Sequence, residues 1–353
     1  MDKKDIKSMN LSELKKDMEE LGEKAFRATQ VYEWIHVKLV SGFEEMTNIS
    51  EKLKERLRER YHFTTLEIAD KQVSAQDGTA KYLFRLQDGN LIESVLMKYK
   101  HGNSVCISSQ AGCRMGCKFC ASTIAGLKRN LLPSEMLEQI YRIQKESGER
   151  VSNVVIMGTG EPFDNYDNVI RFLRLLTDEK GLHISARNIT VSTCGIVPKI
   201  KEFAEENMQV TLAISLHAPN NDKRKRMMPI ANKYSIEELL DACHYFFEKT
   251  GRRITFEYSL ADGVNDSEQD AAELISLVKG MNCHVNLIPI NPVEELEFEG
   301  SAKKVAEKFK NKLEKSRINV TIRREMGRDI DGACGQLRRK YDGAVGEEGT
   351  KEC

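Results

Sequence analysis

No apolar run in this 353-residue chain approaches the roughly 18–20 residues of a membrane span. The N-terminal Met1-Asp-Lys-Lys-Asp5 lacks the apolar core of a signal peptide. The chain lacks net charge as well: 54 basic residues balance 54 acidic ones, so any nucleic-acid contact must come from local basic runs and not from a whole-molecule field. Low-complexity tracts and internal repeats are absent. Nine cysteines in a chain this long do not make a secreted disulfide scaffold, and an odd count leaves some without partners. Reduced thiols in a cytoplasmic protein without a membrane partner are the expectation. The length and the 40% hydrophobic content allow one large domain, or a large domain with a small appendage.

What the chain does hold is Cys113-Arg-Met-Gly-Cys117-Lys-Phe-Cys120, three cysteines at spacings of four and three. Thiolates are soft ligands suited to iron–sulfur clusters, which usually take four cysteines. With three at hand, a 4Fe-4S cube keeps one iron open to bind a substrate or cofactor. The plainer readings are a structural zinc site, which wants a fourth Cys or His nearby, and thiols that fill space.

Residues 1–62 read as a small helical domain. Asn10 is placed to cap a helix through Leu21, and Phe26, Val31, Trp34, Ile35 and Leu39 recur at helical spacing over Ala25–Val40. A third amphipathic stretch runs from Ile49 to Tyr61, and most of the charge here reads as solvated helix faces. Over residues 63–98 the period becomes two, with a hairpin formed by residues 81–86 and 91–97 around Asp88-Gly89-Asn90 and an earlier turn at Asp77-Gly78. Residues 99–340 alternate. Strands are expected at 105–109, 153–157, 188–192, 210–215, 253–259, 283–289 and 319–323, with helices near 133–147, 166–176, 197–206, 236–249, 268–279 and 302–315. Repeated βα units predict an α/β fold, a partial parallel (β/α)6-type barrel behind the helical N-terminal domain, and residues 341–353 read as a loose tail.

In such a barrel the site forms at the C-terminal ends of the strands. The cysteine loop follows the first strand, Gly158-Thr-Gly-Glu161 the second, Ser192-Thr-Cys-Gly195 closes the third and Ser215-Leu-His217 the fourth. Asn291-Pro292 follows the sixth, and Asp329-Ile-Asp-Gly-Ala-Cys334 the last. Taken singly, a Gly-rich turn is often only a tight turn, and a lone His is more often a satisfied core residue than a ligand.

Three cysteines so spaced on the loop after the first barrel strand, with Phe119 before the last of them, resemble the radical S-adenosylmethionine superfamily. Gly158–Glu161 is similar to its GGE-like segment, with Thr159 intervening. Residues 91–337 further resemble the bacterial radical enzymes that methylate carbon 2 of an adenine in 23S ribosomal RNA. The resemblance is carried by Cys106-Ile-Ser-Ser-Gln-Ala-Gly-Cys113, Gly126–Leu131, Ala213–Pro219, Asp262–Asp266, Asn286–Pro292 and Asp329–Leu337. Family members commonly also modify the adenine 3′ of the anticodon in some transfer RNAs. Adenine C2 is a poor nucleophile for a sulfonium methyl, which is why a carbon radical is a sensible route.

The resemblance implies a 4Fe-4S cluster on Cys113, Cys117 and Cys120, and two molecules of S-adenosylmethionine per methylation. The first methylates Cys334. The second yields a 5′-deoxyadenosyl radical that abstracts hydrogen from the S-methyl group, and the methylene radical adds to the adenine. Cys106 then corresponds to the resolving thiol, forming a transient disulfide with Cys334, and Glu93 to the base that takes the C2 proton. Gly160, Glu161, Ser192, Ser215, Leu216, His217 and Asn291 correspond to S-adenosylmethionine contacts. Without the resemblance Cys106 would read as a core residue and Glu93 as an exposed strand residue. The implied partners are 23S ribosomal RNA, transfer RNA and an electron donor such as flavodoxin or ferredoxin. RNA contacts are sought at Lys128-Arg129, Lys223–Arg226, Arg323-Arg324 with Arg328, and Arg338–Lys340, and in the helical domain. The nearest rival is the related antibiotic-resistance family that methylates C8 of the same adenine.

Overall fold

The architecture is taken from a computed structural model that describes residues 3–100, 102–290, 298–330 and 337. Strands β1 (Lys4–Asp5) and β2 (Tyr61–His62) pair in parallel and enclose α1 (Leu11–Glu20), α2 (Ala25–His36) and α3 (Glu51–Arg60). Asn10 caps α1 as its type and position predict: its side chain accepts from the Glu13 N–H while Glu13 accepts from the Asn10 N–H, both at 2.9 Å. Helix α2 stops at His36, short of the expected Val40, because Leu39 adopts a left-handed φ of 56° that turns Leu39 and Val40 inward. Helix α3 begins after a Ser50 cap, leaving Ile49 buried ahead of it.

A linear ten-stranded sheet follows. Its antiparallel part is β3 (Glu67–Val73), β4 (Ala80–Arg85) and β5 (Leu91–Tyr99), and β5 pairs with β6 (Gly102–Cys106). From β6 onward the pairing is parallel through β9 (Val151–Ile156), β10 (Ile189–Thr193), β11 (Thr211–Ser215), β12 (Ile254–Leu260), β13 (Cys283–Pro289) and β14 (Val320–Ile322). The expected hairpin thus continues the same sheet as the parallel strands. Between β6 and β9 lie β7 (Gln110–Gly112), β8 (Leu127–Asn130) and α4 (Pro133–Ser147). The remaining helices are α5 (Tyr166–Thr177), α6 (Val197–Glu205), α7 (Asn221–Met227), α8 (Ile236–Thr250), α9 (Glu268–Val278) and α10 (Lys303–Lys315). Sequence periodicity places every one of them except α7, whose Asn-Asp-Lys-Arg-Lys-Arg-Met carries too few apolar residues to show a face.

The helical N-terminal segment shares one apolar cluster with the barrel, running from Ile6 and Met18 to Ile140 and Leu173. Its charge is not all solvated. Lys7 forms a buried ion pair with Glu138 of α4, the Tyr141 hydroxyl lies 2.8 Å from His36 Nδ1, and the Tyr32 hydroxyl donates to Asp178 at 3.1 Å. Buried charges hold a position only when paired, so these contacts fix where the segment sits on α4 and α5. Among the described residues no helix is long and apolar enough to cross a membrane.

Candidate active site

The cysteine loop leaves β7 and returns through β8, and these two short antiparallel strands clamp its stem, with Gln110 opposite Asn130 and Gly112 opposite Leu127. Only glycine fits at 112: its φ is 82°, and a Cβ there would lie 1.9 Å from the Gly126 carbonyl oxygen. Within the loop the Cys120 N–H donates to the Cys117 carbonyl at 3.2 Å, and Thr123 Oγ1 donates to the Cys120 carbonyl at 2.9 Å. The Lys118 N–H donates to Met227 at the end of α7 at 2.9 Å, and the Phe119 ring stands edge-on to His217 with centroids 4.8 Å apart.

Cys113, Cys117 and Cys120 line one cavity of about 700 Å³ together with Gly160, Glu161, Ser192, Ser215, His217 and Cys106. Burial pushes the Cys113 thiol up to about 12, and burial with Cys120 and Cys113 beside it pushes Cys117 higher still. As thiolates they would be stabilised there by a positive centre among them. Among the described residues no three His, Cys, Asp or Glu side chains converge closely enough for a single metal ion. Three soft thiols on one loop, opening into one cavity, are a donor set that suits three irons of an iron–sulfur cube.

Facing the cysteines, the β9 loop places Glu161 in a buried pocket where its two carboxylate oxygens accept from the Phe163 N–H at 3.0 Å and the Cys194 N–H at 2.7 Å. Burial raises its affinity for a proton. Gly160 has a φ of 112°, and a Cβ on it would lie 2.6 Å from Gln110 Cβ, so glycine is required by the approach of this loop to β7. His217 ends β11 with a left-handed φ of 54°, an uncommon conformation for a side chain other than Gly or Asn. Its Nδ1 accepts from the Ser259 N–H at 2.9 Å, and burial lowers its pKa to about 3. The ring is thus neutral, with its proton on Nε2 as a hydrogen-bond donor. Leu216 contributes only backbone here, its side chain being fully buried in the core.

On the antiparallel side, Val95 and Met97 of β5 and Cys106 of β6 line the same cavity. Glu93 lies on the face of β5 that carries Val95, but it is buried and forms an ion pair with Lys81 of β4 at 3.1 Å. The alternation of β5 alone reads it as exposed. Leu337 packs on Leu83 and Leu91 of the same face, and Leu83 is the cross-strand neighbour of Glu93. Asn291, Cys334 and Arg338–Lys340 lie outside the described residues, as does the expected tail; Ile330 lines the cavity on one side of Cys334 in sequence, and Leu337 sits on β4 and β5 on the other.

Three residues that sequence reading missed support these loops. Arg224 of α7 is fully buried and donates to the carbonyls of Cys194 at 2.7 Å and Leu216 at 3.2 Å. Asn265 donates to the carbonyls of His217 at 2.7 Å and Ser259 at 2.6 Å. Glu257 is a buried carboxylate on the cavity wall whose pKa burial raises, against the nearby Arg323 and a 2.9 Å hydrogen bond from Asn286. The basic runs are corrected accordingly. Of Lys223–Arg226, Arg224 is interior and Lys223 is paired with Asp270, leaving Lys225 and Arg226 exposed. Arg129 is tied to Glu135 and Asp88, and Arg328 to Glu325.

A parallel strand array with a three-cysteine loop after its first strand and a polar cavity across the strand ends defines a radical S-adenosylmethionine fold. Residues 107–275 match the Radical SAM superfamily, and residues 4–62 match the ribosomal RNA large subunit methyltransferase N-terminal domain. A protein of Lachnospira eligens named "Probable dual-specificity RNA methyltransferase RlmN" is 66% identical over 337 residues, 96% of each chain. A protein of the same name from Clostridium novyi is 59% identical over 96% of this chain and 98% of its own. A crystal structure of a radical SAM methyltransferase from Sphaerobacter thermophilus superposes with a TM-score of 0.90 at 42% identity, over 94% of this chain and 98% of that one. The chain belongs to the RlmN family of dual-specificity RNA methyltransferases. It is a radical S-adenosylmethionine enzyme, a transferase, and its cofactors are a 4Fe-4S cluster and S-adenosylmethionine.

Proposed function

We propose that the protein methylates C2 of an adenine in 23S ribosomal RNA, and of the adenine 3′ of the anticodon in transfer RNAs. The observation that carries this reading is Cys106, a second kind of thiol that lines the same cavity as Cys113, Cys117 and Cys120 without belonging to their loop. The RlmN name shared by relatives over nearly the whole chain favours C2 over the C8 rival.

Cys113, Cys117 and Cys120 would hold three irons of the 4Fe-4S cluster, which would supply the electron for reductive cleavage of S-adenosylmethionine bound beside it. Gly160 and Glu161 receive the methionine end, Glu161 as an acceptor held by two backbone N–H groups. His217 offers a neutral Nε2–H, and Ser192, Ser215, the Leu216 backbone and Asn291 complete the contacts. Cys334 carries the methyl group as S-methylcysteine and delivers it to the extruded adenine. Glu93 accepts the C2 proton, and its buried carboxylate lies 3.1 Å from the Lys81 ammonium. Cys106 resolves the adduct by forming a disulfide with Cys334. Residues 1–62 act as an accessory RNA-binding domain, residues 99–340 as the catalytic barrel, an electron carrier such as flavodoxin or ferredoxin supplies the electron, and the protein works in the cytoplasm.

The test is a pair of variants turned over with RNA and S-adenosylmethionine. Cys334→Ala should form no methylated adenine, and Cys106→Ala should accumulate protein covalently bound to RNA. Methylation by Cys334→Ala, or a Cys106→Ala protein free of RNA, would remove those roles.

A further inference from the structure

Arg224 is the bulkiest side chain among those fully buried. Its guanidinium donates to the Leu216, Cys194 and Ser215 carbonyls at 3.2, 2.7 and 3.3 Å, and Nη1 has no hydrogen-bond partner. Among the described residues, the groups that bear on its charge most are thiols, Cys194, Cys117 and Cys243, and none is a carboxylate. A guanidinium cannot shed its proton in water-compatible conditions, and a buried cation with no anion beside it is costly. Among the described residues none forms an ion pair with this guanidinium, and the arrangement calls for an anion from a bound group. Cys117 lies in the cysteine loop, which is anchored to the same helix through the Lys118 N–H and the Met227 carbonyl.

We propose that Arg224 is the counter-ion of the iron–sulfur cluster, a fixed positive charge behind Cys117 and Cys194 that raises the cluster's reduction potential. This rests on the assignment of Cys117 as a cluster ligand. A cube held by three thiolates is anionic and gains one more negative charge when it takes one electron from a one-electron carrier, which is oxidised by one electron in return. A nearby cation stabilises the more negative, reduced form to a greater degree, so the potential rises. Arg224 is a positioning residue by its three carbonyl bonds and an electrostatic one by its charge, and the two roles separate experimentally.

The experiment is anaerobic reconstitution of the full chain with iron and sulfide, iron counting, and a potentiometric titration followed by the electron paramagnetic resonance of the reduced cluster. Arg224→Lys keeps the charge and loses the fork; Arg224→Gln and Arg224→Met lose the charge. The neutral variants should show about a tenfold lower ratio of reduced to oxidised cluster at a fixed potential, which is about 59 mV for a one-electron couple, while Arg224→Lys stays near wild type. Neutral variants that assemble no cluster while Arg224→Lys does would also support the counter-ion. A wild-type potential in Arg224→Gln or Arg224→Met overturns the proposal, and so does a shift, or a loss of cluster, in Arg224→Lys as large as in the neutral variants, since a clamp alone then suffices. Cys117→Ala is run beside them: if it keeps its full iron and an unchanged spectrum, the ligand assignment fails independently of the Arg224 series.

Discussion

The parallel and antiparallel halves of the ten-stranded sheet present polar groups to the cavity in different ways. On the parallel side they sit beyond the strand ends, on loops and in uncommon backbone conformations, as with Gly160 at φ 112° and His217 at φ 54°. On the antiparallel side Cys106 reaches the cavity from within a strand, and Glu93 and Lys81 pair on the same face of neighbouring strands, where Leu337 packs on Leu83 and Leu91. Loops can be reshaped around a cofactor while the strands stay fixed. A mid-strand carboxylate cannot be moved without the strand, so its geometry is tied to the β4–β5–β6 register. The parallel half thus carries the positions proposed to hold the cofactors, and the antiparallel half carries Glu93 and Cys106, two of the groups proposed for the methyl transfer.

Variants should break the two halves apart. The largest effect is expected at the cysteine loop, where Cys113→Ala or Cys120→Ala should abolish both iron retention and S-adenosylmethionine cleavage, read by iron analysis and 5′-deoxyadenosine formation. Glu93→Gln should instead keep the iron and lose methylated product by about 10²–10⁴-fold, the usual contribution of a general base; an equal loss of iron would erase the distinction between the halves. Lys81→Met leaves a buried carboxylate without its cation and should lower unfolding stability by about 3–5 kcal/mol in denaturant titrations. The double variant Lys81→Met with Glu93→Gln should recover most of that loss, because a neutral pair needs no counter-charge.

The smallest effect concerns pH. His36 and His217 are both held neutral, burial lowering each to about 3 from 6.5. Between those values the unfolded chain binds protons that the folded chain refuses, so stability rises with pH across that window and falls as pH drops below about 6.5, by up to about 1.4 kcal/mol per pH unit for each histidine. His36→Phe, on the helical segment, should roughly halve that slope in a series of denaturant titrations without touching the cavity.

Much of the parallel half was legible in the sequence because its signals are local. Strand 283–289 and helix 133–147 fall where periodicity puts them, and the cysteine, glycine and histidine motifs fall at strand ends. The hairpin of the antiparallel half was legible from its period of two and its Asp88-Gly89-Asn90 turn, but its chemical residues only by resemblance. Alternation reads Glu93 as solvent-facing, since nothing near it in sequence announces its burial or its pairing with Lys81, and Cys106 in an apolar strand reads as core. Arg224 was hidden for the opposite reason: within Lys223–Arg226 it looks like one more surface charge, and only the third dimension turns it inward.

Nucleoside mass spectrometry of ribosomal and transfer RNA, after incubation with the reconstituted protein, a reductant and S-adenosylmethionine, tests the central claim most directly. The account predicts 2-methyladenosine, formed by the wild type and not by Glu93→Gln. 8-Methyladenosine as the main product, or RNA left unmodified while 5′-deoxyadenosine accumulates, would contradict it.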